Sequence, residues 1–144
     1  MKRIEVVAAV VTDGDQVLCV QRGPNSRPYI SGKWEFPGGK VEPAEDHRAA
    51  LAREIAEELR VRVAVHAPLL TVEHAYPDFE IRMHAHLCTL EEDPASIVLT
   101  EHVAARWLHP ADPAFAALDW AAADVPIVQI LLERAGSGTR SDPR

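Results

Sequence analysis

The sequence predicts a layered domain of the α/β or α+β class. A nearly continuous β-branched run opens the chain. An amphipathic helix over 44–59 follows the first strands, and further strands precede a second amphipathic helix over 125–134. Strands, helix, strands, helix in that order pack as helices against a sheet. The 144 residues suffice for one domain with a proper core. The domain is expected over 1–135. Residues 136–144 carry no large apolar side chain and read as a disordered tail.

Ile4 to Val11 is apolar and β-branched, the pattern of a buried strand. Asp13-Gly14-Asp15 signals a turn and Gln16 to Gln21 a second strand, so 4–21 reads as a hairpin. Residues 23–33 are rich in breakers and read as a loop. Trp34-Glu35-Phe36 is a short extended piece ended by Pro37-Gly38-Gly39, which reads as a turn. Residues 44–59 contain Ala, Leu, Glu and Arg with no internal Gly or Pro, and Pro43 stands where helices start. Residues 61–75 and 79–90 alternate as strands around a turn at Tyr76-Pro77-Asp78. Residues 91–95 form a polar loop, 103–108 a short strand, and Pro110 to Pro113 a break. In the last helix, Ile127, Ile130 and Leu131 share a face.

Composition narrows function. With 15 Lys+Arg against 22 Asp+Glu, the net charge of −7 disfavours gripping a long nucleic acid by its phosphates. A small phosphorylated ligand remains open if a cation mediates. No run approaches the apolar length of a membrane span. The start, Met1-Lys2-Arg3-Ile4-Glu5, does not read as a secretory signal. Cys19 and Cys88 form neither a disulfide framework nor a metal knuckle, so inert buried thiols in a reducing cytoplasm are expected.

The first helix carries the chemistry. At helical spacing, Leu51, Ile55 and Leu59 line up as an apolar stripe. On the same helical wheel Glu54, Glu57 and Glu58 share one sector, and Glu58 borders the stripe. The repulsion of three carboxylates is offset by a cation, and carboxylate oxygens suit Mg²⁺ together with substrate phosphates. Arg53 lies beside Glu57 and can hold a carboxylate in place. A solvated acidic face has the same spacing. The preceding Gly38-Gly39, whose backbone can approach a ligand closely, tips the reading toward a metal–phosphate site.

These residues resemble the Nudix hydrolase family, whose box reads G-x5-E-x7-R-E-U-x-E-E-x-G-U, with U a bulky aliphatic. Gly39, Glu45, Arg53, Glu54, Ile55, Glu57, Glu58 and Val61 fall on it in register; Arg60 replaces the second glycine. That glycine closes the helix, so a loss of capping is expected rather than of a ligand. Trp34 to Glu42, Ile4 to Ala9, and Ala122-Ala123-Asp124-Val125-Pro126 extend the likeness to the MutT-type branch and its relatives acting on CTP and modified dCTP.

The resemblance implies an α/β/α sandwich around a mixed sheet. It implies an Mg²⁺-dependent nucleoside triphosphate pyrophosphohydrolase, with Mn²⁺ as substitute, giving a nucleoside monophosphate and pyrophosphate by attack of water at the β-phosphorus. Glu57 and Glu58 match the principal metal ligands, Glu54 a ligand or base, the Gly38 carbonyl a backbone ligand, and Arg53 the residue that orients the glutamates. Glu45 matches a structural position at the helix start. Glu101 matches a metal-reaching glutamate from a later loop, completing a catalytic set of Arg53, Glu54, Glu57 and Glu101. Asp124 matches the side chain that bonds the base, Phe36 and Tyr76 pocket aromatics, and Arg22 a basic residue near the phosphate or base. Gly39 and Lys40 join the substrate-binding set. The expected partner is a nucleotide, with no membrane and no long nucleic acid, and the chain is expected as monomer or homodimer.

Asp124 serves an oxidised purine or a cytosine equally well. ADP-ribose is an alternative substrate, since Pro77 stands where that subfamily has its marker. A catalytically silent nucleotide-binding module is another, against which the intact Glu54, Glu57 and Glu58 weigh. Asp124 also reads as a helix cap. Trp34, Trp107 and Trp120 read as core or pocket rim. His84 and His86 share one strand face as zinc ligands would, but no third ligand stands at a supporting spacing, so they read as pocket-lining or sheet residues.

Overall fold

A computed structural model describes residues 1–140. Among them, the strands form one seven-stranded sheet. They are β1 (Arg3–Asp13), β2 (Gln16–Arg22), β3 (Trp34–Glu35), β4 (Gly38–Lys40), β5 (Val63–Ala75), β6 (Glu80–Leu90) and β7 (His102–Leu108). The helices are α1 (His47–Leu59), α2 (Pro113–Ala117) and α3 (Val125–Arg140).

β1 is buried on both faces, which its continuous apolar run requires. Val7, Ala9 and Val11 face α1 with Leu51, Ile55 and Leu59. Ala8 and Val10 face the opposite core with Phe115, Ile127 and Leu131. The layers are therefore helix, mixed sheet, helix, as expected. β6 runs parallel to β1 from Arg3↔Glu80 to Thr12↔Thr89, and β5 returns antiparallel on β6.

The predicted hairpin is a fork. β1 and β2 pair only beside their turn, at Thr12↔Val17 and Asp13↔Gln16. Beyond it β2 pairs with β3 and β7, while β4 takes the vacated edge of β1 through Val6↔Lys40 to Ala8↔Gly38. Gly38-Gly39 is thus a strand and not the predicted free turn. The reason is contact: a Cβ on Gly38 would lie 1.9 Å from the Val7 carbonyl oxygen. Only glycine lets this backbone reach β1.

α1 begins at His47, three residues later than predicted. Ala44 is left-handed (φ 64°), and Asp46 caps the helix by accepting from the Arg48 N–H at 3.1 Å. Asp46, not Pro43, sets the start. Arg60 closes α1 in the left-handed conformation (φ 58°), its N–H donating to the Ala56 carbonyl at 3.1 Å. The predicted break at Pro110 to Pro113 leads into α2, capped by Asp112 with Pro113 in the first turn. α3 continues to Arg140, past residue 134 and into the predicted tail. Residues 141–144 of that tail lie outside the described residues.

Cys19 and Cys88 are free and buried, and burial raises both thiols to about 12, which makes them inert. No helix among the described residues is long and apolar enough to cross a membrane.

Candidate active site

The fork in the sheet brings β4 across the middle of α1, and this contact organises the acidic residues. Arg53 stands at its centre. Its Nε and Nη2 donate to both Glu45 oxygens at 2.8 and 2.9 Å, a bidentate pair. Its Nη1 donates to Glu54 at 3.0 Å and to Glu57 at 3.4 Å, and its Nη2 donates also to the Lys40 carbonyl at 3.1 Å. One guanidinium thus fixes the turn before the helix, the β4 strand and two carboxylates. The Arg53 bond holds Glu45 down at about 2. In return, Glu45 and then Glu54 hold Arg53 above its ordinary range.

The three helical carboxylates differ in environment. The Glu57 side chain is 58% exposed and that of Glu54 15%, while Glu58 is 5% exposed. Glu58 Oε1 accepts from the Gly38 N–H at 3.2 Å. Burial above all, then the charges of Glu35, Glu101 and Glu54, push Glu58 up to about 9. Burial also raises Glu54, against the pull of Arg53. Gly39 lies flush against Glu54: a Cβ there would meet the Glu54 Cδ at 2.4 Å.

Glu101 is exposed and arrives on the segment before β7. The neighbouring Thr100 ties that segment to the end of α1, its N–H donating to the Glu58 carbonyl at 3.1 Å and its hydroxyl to the Glu57 carbonyl at 2.8 Å. Glu58 thus meets Gly38, Glu54 meets Gly39, Arg53 ties Glu57 to Glu54, and the charge of Glu101 acts on both Glu54 and Glu58. A buried carboxylate among carboxylates, faced by a glycine strand with no room for a Cβ, fits a hard divalent cation. The donors there are all oxygens.

The expected base-binding residues form a second group. Asp124 is 5% exposed, and its Oδ2 accepts from the Phe36 N–H at 2.9 Å. Burial, reinforced by Glu35, raises it well above its ordinary value. Its carboxyl thus ties the last helix to the segment after β3 and does not cap α3. Phe36 stacks on Trp120 at 4.8 Å, and Tyr76 accepts from the Ala123 N–H at 3.2 Å through its hydroxyl. Both aromatics are buried in the core around Asp124. Arg22 lies 3.7 Å from Glu35. Lys40 is exposed at the end of β4, and its backbone rather than its side chain meets the cluster, through Arg53. His84 and His86 line a groove beside the start of α1, and Trp120 is core.

Glu35 joins the site through contacts distant in sequence. Its carboxylate accepts from His102 Nε2 at 2.9 Å, and its charge raises Glu58, Asp124 and Tyr76 alike. It therefore links the two groups. An acid between Trp34 and Phe36 in an extended segment is the available signal.

A family model described as the NUDIX domain matches residues 1–129. The chain is 34% identical over 134 residues to the CTP pyrophosphohydrolase of Escherichia coli K12, covering 92% of this chain and 93% of that protein. It is 35% identical over 88 residues to the 8-oxo-dGTP diphosphatase of Proteus vulgaris, covering 61% and 78%. The solution structure of the Escherichia coli ORF135 protein superposes with a TM-score of 0.76 at 34% identity, covering 94% of each chain. The glutamate-bearing helix, the glycine strand against it and a match running through nearly the whole fold lead to one assignment: the chain belongs to the Nudix hydrolase family.

Proposed function

We propose that this chain is an Mg²⁺-dependent nucleoside triphosphate pyrophosphohydrolase that sanitises the nucleotide pool, acting on oxidised or modified nucleotides or on CTP and modified dCTP and releasing a nucleoside monophosphate and pyrophosphate. The contacts of Glu58 with Gly38 and of Glu54 with Gly39, with Glu57 tied in through Arg53 and the Glu101 charge acting on both, support this reading. Nudix hydrolases use divalent metal, and the carboxylates of Glu54, Glu57, Glu58 and Glu101 with the Gly38 carbonyl are the residues that would hold it here. When bound, such ions neutralise phosphate charge and make water more acidic.

The chain's own groups do the rest. Arg53 holds Glu54 and Glu57 in one arrangement, so they need no reorganisation as charge develops. Glu54, raised by burial yet held by Arg53, is suited to take a proton from the attacking water. Gly39 leaves Glu54 the space it occupies. Arg22 and Lys40 supply positive charge for phosphate oxygens.

At the other end, Asp124, Phe36 and Tyr76 receive the base. Burial favours the neutral form of Asp124, and a neutral carboxyl donates through O–H as well as accepting. That suits a base edge offering both an acceptor and an amino group, as cytosine and oxidised guanine do. The likeness to the CTP pyrophosphohydrolase spans both chains, so cytosine nucleotides come first for testing.

The test is turnover of CTP, 5-methyl-dCTP, 8-oxo-dGTP, dGTP and ADP-ribose with Mg²⁺, with Glu57→Gln as control. Pyrophosphate release from one class of triphosphate, abolished in the variant, supports the reading. Turnover of ADP-ribose alone, or none at all, overturns it.

A further inference from the structure

The fold supplies what the strand histidines lacked. Val7 sits opposite His84 in the parallel pair of β1 and β6. Glu5, two residues earlier on the same face of β1, reaches across, and its Oε1 lies 2.8 Å from His84 Nε2. His47, the first residue of α1, comes down on the same spot, its ring stacked on His84 with centroids 4.1 Å apart. One ligand atom each from Glu5, His47 and His84 all lie within 4.8 Å of one another. Donors around a tetrahedral ion at ordinary bond lengths stand about 3.4 Å apart, so the set closes when the His47 ring turns inward and the 2.8 Å Glu5–His84 pair opens slightly around the ion.

We propose that Glu5, His47 and His84 form a second metal site, specific for a divalent transition ion of the zinc class. Two imidazoles and one carboxylate are a zinc-type donor set, unlike the all-oxygen cluster farther along the helix. His47 precedes Glu54 by seven residues, about 10 Å along the axis, so one ion does not serve both.

His84 is oriented from behind. Its Nδ1 lies 3.3 Å from Thr71 Oγ1, the kind of outer partner that fixes a ligating ring. With the Nδ1 proton turned toward Thr71, the Nε2 lone pair faces the Glu5 carboxylate, and a cation between them satisfies both. With no ion, the proton stands on Nε2 and is donated to Glu5. The His84 side chain is 18% exposed and that of Glu5 41%. A groove of about 350 Å³ opens onto the two imidazoles, leaving room for water as a further ligand. An ion here would join β1, β6 and the first turn of α1, and so brace the helix that carries the carboxylates.

The full chain, stripped with chelator, is titrated with Zn²⁺ at pH 8 in a large excess of Mg²⁺ that fills the oxygen cluster. Equilibrium dialysis and thermal melting are the readouts. We expect one Zn²⁺ per chain and a Tm rise of about 9 °C at a hundredfold excess over Kd. Co²⁺ in its place should show the visible absorption of an imidazole-bound ion. His47→Ala, at a half-buried helix start that tolerates truncation, and Glu5→Gln should each weaken uptake by at least about tenfold. The Glu54→Gln/Glu57→Gln variant should keep it. Uptake unchanged in His47→Ala, uptake abolished by the Glu54→Gln/Glu57→Gln pair, or no uptake at all would each overturn the site.

Discussion

Replacing Glu58 by Gln should change how the metal-free protein responds to pH. The carboxyl titrates at about 9 in the folded chain against an ordinary value of 4.5, chiefly through burial. Between those values the folded protein keeps the Glu58 proton while the unfolded chain releases it. The unfolded state therefore binds fewer protons, and stability falls as pH rises. The slope is about 1.4 kcal/mol per pH unit, or about 3 kcal/mol between pH 6 and pH 8. Gln keeps the shape and can still accept from the Gly38 N–H, but it does not titrate. Glu54 and Asp124 are also raised and add slopes of the same sign, but they are present in both proteins. Urea unfolding in chelator at pH 6, 7 and 8 isolates the difference. Wild type should lose about 3 kcal/mol more than Glu58→Gln across that range. Adding Mg²⁺ should restore wild type most at pH 8, where the least work is needed to remove the proton. Parallel slopes for the two proteins would show instead that Glu58 titrates as an ordinary carboxyl.

Arg53→Lys removes the fork that holds Glu45, Glu54, Glu57 and the Lys40 carbonyl together. We expect kcat to fall about a hundredfold with KM little changed, as steady-state kinetics would show; an equal loss in KM alone would contradict an orienting role. Gly39→Ala puts a methyl 2.4 Å from the Glu54 Cδ. The flexible carboxylate must move, so kcat/KM should drop at least about tenfold while Tm shifts by only a few degrees. Arg60→Gly relieves a left-handed residue at φ 58°. Set against the chain entropy of glycine, it should stabilise by about 0.5–1 kcal/mol and raise Tm by about 2–4 °C, and a lower Tm would contradict the strain.

Periodicity and punctuation expose much of this fold. The apolar run of β1, the helix through Leu51, Ile55 and Leu59, and the face of Ile127 and Leu131 all follow from side-chain spacing, which the chain itself displays. What stays hidden depends on contacts distant in sequence. Nothing local to Gly38-Gly39 says that this segment pairs with β1; the tight approach to Val7 does. The helix start differs from the expected one because Pro43 is a strong signal, whereas Asp46 wins by actually capping Arg48. Among functional residues, the helical spacing groups Glu54, Glu57 and Glu58, yet only burial separates the high-titrating Glu58 from the exposed Glu57. Glu35 and the meeting of Glu5, His47 and His84 depend on strand register, which one strand does not reveal.

The most direct test of the proposed reaction is where the oxygen goes. The preferred triphosphate should be hydrolysed with Mg²⁺ in heavy-oxygen-labelled water and both products weighed by mass spectrometry. Attack at the β-phosphorus gives a nucleoside monophosphate without label and pyrophosphate carrying one labelled oxygen. Label in the monophosphate, or a nucleoside diphosphate with inorganic phosphate as products, would contradict it.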